Sequence, residues 1–113
     1  MTKSASLTRL CDVAQLMLDH RLAQLRTASN QLDRSKMQLQ AVNAAAVAAD
    51  LPLVSAEKVG LVYDRWADIR RAELNLVIAN QTVEMIEARN DAGAAFGRLQ
   101  ALQGLAKRPD KSR

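Results

Sequence analysis

From Leu7 to Asp50 the chain contains neither glycine nor proline. The residues there are mostly helix formers, so one unbroken helix of about 60 Å follows at 1.5 Å per residue. Ordinary globular helices are much shorter. Ser6 suits the N-cap position, where its hydroxyl can accept a free first-turn amide. Residues 1–5, MTKSA, read as a disordered, frayed lead-in, and helix 1 is expected over residues 6–49. The pattern inside it repeats every seven residues. Leu18, Leu25, Leu32 and Leu39 lie on one row, which Cys11 and Ala46 extend. Three residues after members of that row come Ala14, Arg21, Ala28, Ser35 and Val42. Large residues at one seam position and mostly small ones at the other allow two helices to approach closely, and the seven-residue period implies a left-handed coiled coil. Leu22, Val13 and Met17 broaden the stripe.

The only strong break is DLPLVS, residues 50–55. Pro52 cannot continue a helix and restricts Leu51 before it. Ser55 suits the cap of the next helix, with Glu57 facing the positive end of its dipole. Helix 2 is expected over about residues 55–106. Its heptad row reads Val62, Ile69, Leu76 and Val83, followed three residues on by Arg65, Ala72, Ala79 and Ile86. Val59, Leu61 and Trp66 widen that stripe. Gly93, Gly97 and Gly104 weaken the helix beyond Asn90, each by about 1 kcal/mol relative to Ala, and leave open a bend near Gly93. Pro109 ends it, and residues 107–113 form a basic tail read as disordered. Two long helices with a short connection pack antiparallel. The fold class is therefore all-α, a long antiparallel two-helix coiled-coil hairpin occupying residues 6–106 as a single domain.

Composition agrees. The 113 residues are 49% apolar but only 3% aromatic, and Gly (4) and Pro (2) are too few for a turn-rich sandwich or barrel. One Cys and one His leave neither an internal disulfide nor a Cys/His zinc site. No apolar run is long enough for a transmembrane helix, and the first residues lack a signal-peptide core, so a cytoplasmic location is expected. The net charge of +4 is uneven. Residues 1–49 hold six Lys/Arg against three Asp, residues 51–106 hold six against seven acids, and the last seven hold four against one. That is not the continuous basic face of a nucleic-acid binder, and no aromatic residues interleave the cations to stack bases. Nucleic acid is accordingly not an expected partner.

Residues capable of chemistry are few. No phosphate-cradling loop, nucleophile elbow or metal-ligand cluster is present. His20 and its neighbour Asp19 point about 100° apart on a helix. Cys11 reads as a small seam residue, and Glu84 and Glu87 as a solvated face. No enzyme activity, cofactor or metal is expected, because catalysis needs a concave, dry site and a pair of helices offers lateral surface instead. Among the cations, Asp68 can pair with Arg71 and Glu73 with Arg70 along the helix. Trp66 has two readings, as a plug at the wide end of the coil or as an exposed anchor for a partner. Phe96 poses the same question. A thin two-helix core is expected to be marginal alone, to self-associate into a homodimer, or to be completed by a partner.

The stretch RWADIRRAELNLVIANQTVEMIEARNDAGAAFGRLQAL resembles the second helix of FliJ-like proteins, the coiled-coil stalk components of the flagellar type III export ATPase complex. The likeness rests on Trp66, on the run Arg70-Arg71-Ala72-Glu73-Leu74-Asn75, and on Ala95-Phe96-Gly97-Arg98 before a final leucine-rich turn. The resemblance implies a non-enzymatic stalk or adaptor working in protein export and flagellum biogenesis. It would act in the cytoplasm or peripherally at the cytoplasmic face of the inner membrane. The paired helix ends would insert in a hexameric export ATPase through Phe96, Arg98, Leu99, Leu102, Lys107 and Arg108. Trp66, Arg70 and Arg71 would lie nearer the export gate, and export chaperones are further partners it implies. The alternative reading is a cytosolic secretion chaperone or helical adaptor that binds an amphipathic helix.

Overall fold

The computed structural model describes residues 2–49 and 57–108. They form two α-helices, α1 (Thr2–Ala49) and α2 (Glu57–Lys107), with no strand among the described residues. The all-α helical hairpin expected from the sequence is thus the observed fold class. Two boundaries differ from expectation, and the bend left open near Gly93 is absent. Helix α1 already includes Thr2–Ala5, ahead of the expected cap at Ser6; the Thr8 hydroxyl donates to the Ser4 carbonyl at 2.9 Å, within that first stretch. Helix α2 runs through Gly93, Gly97 and Gly104 without interruption, and none of these glycines has a positive φ. It ends one residue later than expected, at Lys107, and the Arg108 N–H then donates to the Leu105 carbonyl at 3.3 Å. The Pro52 turn, the Ser55 cap and the tail from Pro109 lie outside the described residues.

The chain divides into two units, each made of one segment from each helix. The first unit comprises Met1–Ala28 and Met85–Arg113. Its core is Ala14 and Leu18 of α1 with Ala95 and Leu99 of α2, one small and one large residue from each helix, and Leu102 packs against them. Arg21 and Asp91 form an ion pair across the helices at 3.6 Å, and both side chains are well exposed. At such exposure the pair contributes at most about 1 kcal/mol and weakens with salt.

The second unit is Ser29–Glu84. Its core cluster is Val42, Ala46, Ala67 and Leu74, joined by Leu39 and Tyr63. The Arg71 Nε–H donates to Asn43 Oδ1 at 2.7 Å. The Ser35 hydroxyl, buried on the seam, donates to Gln81 Oε1 and has the Gln31 carbonyl in reach at 3.2 Å. Positions 35 and 43 therefore face 81 and 71, which is antiparallel pairing. Ser35 is the one polar side chain buried among the described residues, and its hydroxyl is satisfied by this contact. Ser35→Ala removes the donor and leaves the Gln81 oxygen without its cross-helix partner. A loss of about 1 kcal/mol is expected in urea unfolding, because half-exposed Gln81 can recruit water.

On α1 every seam position read from the sequence is buried or half-buried, from Cys11 through Ala46. On α2 the expected row is not the seam. Val62 is 71% exposed, Ile69 56%, Leu76 65% and Val83 55%, and Arg65, Ala72, Ala79 and Ile86 are exposed with them. The inward row is instead Tyr63, Ala67, Leu74, Ile78, Gln81 and Met85, continuing through Ala88, Ala92, Ala95 and Leu99. The physical reason is size. The leucine-bearing seam of α1 leaves room for small residues opposite it, and alanines at 67, 92 and 95 let the backbones approach. The outer row would set Val62, Ile69, Leu76 and Val83 and the charged Arg65 on the seam, where the observed row has Ala67, Ala88, Ala92 and Ala95. Both α2 rows are apolar, so apolarity alone does not choose between them.

Candidate interaction surface

In the first unit, Leu10, Val13 and Met17 stand one position before the seam residues Cys11, Ala14 and Leu18. That offset turns them outward along one edge of the seam. With Ala14, Ala95, Arg98 and Leu102 they line a groove of about 160 Å³. Every lining residue but Arg98 is apolar. Leu10, Val13 and Met17 recur at i, i+3 and i+7, the spacing that one helix presents to another. Leu10 and Met17 remain about half exposed. The groove offers apolar area and one guanidinium. It can hold apolar side chains of a helix with a carboxylate nearby, and it brings together no acid–base or nucleophile pair.

The residues named from the sequence separate between the two units. Arg98 and Leu102 line the groove. Leu99 belongs to the core of the same unit, at 5% exposure, and so presents no surface to a partner. Phe96 is half exposed but precedes Arg98 by two residues, about 200° around the helix, so it lies away from the groove. Lys107 and Arg108 are exposed at the end of α2.

In the second unit, Trp66 is 48% exposed and stands against Tyr63, with ring centroids 5.3 Å apart and planes tilted by 48°. Arg70 is paired with Glu73 at 3.2 Å, and Arg71 with Asp68 at 3.1 Å, as the helix spacing predicted. Arg71 also holds Asn43 and thereby ties α2 to α1.

Leu10, Val13 and Met17 were not among the residues singled out for binding. Their signal is the i, i+3, i+7 spacing beside the seam, of which Val13 and Met17 read from the sequence as a broadened core stripe. Among the described residues no group of three His, Cys, Asp or Glu is placed to hold a metal, and no helix is long and apolar enough to cross a membrane. In comparison with known proteins, no family model, no curated protein and no solved structure matches the chain.

Proposed function

We propose that the protein is a non-enzymatic coiled-coil stalk or adaptor of the flagellar type III export apparatus, linking the export ATPase to the export gate by protein–protein contacts. The support for this reading is the resemblance carried by Trp66, Arg70–Asn75 and Ala95–Arg98, together with an architecture of paired helices. The observation that carries it furthest is the apolar groove of Leu10, Val13, Met17 and Leu102 with Arg98 at its rim. It is a surface for a partner's helix rather than for a small substrate. In this reading the groove, Phe96, Lys107 and Arg108 meet the hexameric ATPase, and Trp66 and Arg70 are nearer the gate. The protein then works in the cytoplasm, at the inner face of the membrane that holds the gate.

A double variant, Leu10→Glu with Met17→Glu, tests this reading. Both side chains are already substantially exposed, so helical content by circular dichroism is expected to stay unchanged. Capture of the export ATPase from host extract is expected to fall at least about tenfold, since carboxylates would have to be desolvated in an apolar contact. Cells lacking the gene are expected to swim poorly. Normal swimming with no captured ATPase would overturn the reading. The same groove also suits the alternative, a secretion chaperone that seats an amphipathic helix. That protein would bind the tail of an export substrate and leave ATP hydrolysis unstimulated.

A further inference from the structure

The second unit has an apolar row that its own α1 does not use. Val62, Ile69, Leu76 and Val83 recur every seven residues on α2, with Ala72 and Ala79 between them. Ile69 and Leu76 each follow an inward residue, Ala67 or Leu74, by two positions. Two positions on a helix are about 200°, so this row occupies the face of α2 turned away from α1. It covers three heptads, about 32 Å, the length over which a heptad repeat defines a coiled-coil partner. We propose that this stripe is a second seam and that it pairs with the same stripe of another copy of the chain, antiparallel across a two-fold axis. The inference is independent of the export reading.

The stripe is complementary to itself in one direction only. Read along the chain, Ile69, Ala72, Leu76 and Ala79 alternate large and small. An antiparallel copy sets Ile69 against Ala79 of the second copy and Ala72 against Leu76, so in the central layers each large residue meets a small one, while Val62 meets Ile86 at the two ends. The core of the first unit uses the same composition, one Ala and one Leu from each helix. A parallel copy would set large on large and small on small.

Charge counts against the parallel register at one layer. In parallel register Arg65 would stack on its own counterpart, whereas Asp68 and Glu73 are each held by an arginine of their own helix in either register. In antiparallel register Arg65 meets Val83 instead. Glu73, the acid nearest the two-fold axis, is already held by Arg70 at 3.2 Å. A closed two-fold contact needs one patch that matches itself, and this stripe supplies one. A different partner helix would not require the alternation to be symmetric.

Sedimentation equilibrium of the full chain, from micromolar to millimolar concentration, tests the proposal. The mass is expected to rise from one chain to two, with a blue shift in the emission of Trp66, the single tryptophan, which flanks the stripe. Leu76→Glu is expected to weaken the dimer about a hundredfold or more. Its helical content should persist, because Leu76 makes no part of the hairpin core. Orientation is read from a spin label on Asp64→Cys in a Cys11→Ser background. Antiparallel pairing places the two labels about 30 Å apart or more, and parallel pairing about 20 Å or less. A mass of one chain at every concentration, a Leu76→Glu protein that still dimerises as the wild type does, or the short label distance would each overturn the proposal.

Discussion

Leu74→Ala is expected to lower the unfolding free energy by about 2–4 kcal/mol, whereas Leu76→Ala, two residues further on, should change it by no more than about 0.5 kcal/mol. The two leucines have the same local helix propensity and lie in the same turn. They differ in what surrounds them. Leu74 is 2% exposed and packs with Val42, Ala46 and Ala67, so truncation leaves a cavity between two helices. Leu76 is 65% exposed and loses little when shortened. The loss at Leu74 is a large fraction of what a small domain has in total. Urea unfolding followed by far-UV circular dichroism measures both, at a concentration low enough that single chains are unfolding. Equal losses at the two positions would mean that α2 packs through the row expected from the sequence and not through the one observed.

Ala67→Asp should have the larger effect, about 3 kcal/mol or more. Ala67 is fully buried, at 0% exposure, and its methyl sits where the two helices are in contact. A carboxylate there must either be desolvated without a partner or push the helices apart. Ala67→Leu separates the two causes. It brings no charge, and its cost of about 1–3 kcal/mol comes from overpacking alone. Ala44→Leu, on an exposed position of α1, is the control and should be neutral to within about 0.5 kcal/mol. If Ala67→Leu proves as harmless as Ala44→Leu, the helices do not approach closely at this position.

The two helices differ in how legible their packing was. On α1 the leucines at 18, 25, 32 and 39 have no competing apolar row of comparable regularity. The heptad period therefore identifies the seam directly, including Ser35 as its polar member. On α2, Val62, Ile69, Leu76 and Val83 form a more conspicuous row than Ala67, Leu74, Gln81 and Ala88. A reading by hydrophobicity selects the first row, while packing selects the second. The same bias hid the groove. Val13 and Met17 look like a broadened core stripe, yet at one position off the seam they form an outer wall. Leu99 failed in the opposite sense, as a residue read for a partner that is consumed by the core.

The sequence by itself determined that this chain forms two long helices. It also determined that α1 presents its leucine row inward, because an uninterrupted run of helix formers with a seven-residue period admits no other regular structure. Only the tertiary structure decided which of the two apolar faces of α2 meets that row. The choice depends on side-chain volume at the contact. Alanines at 67, 92 and 95 allow close approach and dense packing there, and the row of Val62, Ile69, Leu76 and Val83, which carries Arg65 with it, is left on the outside.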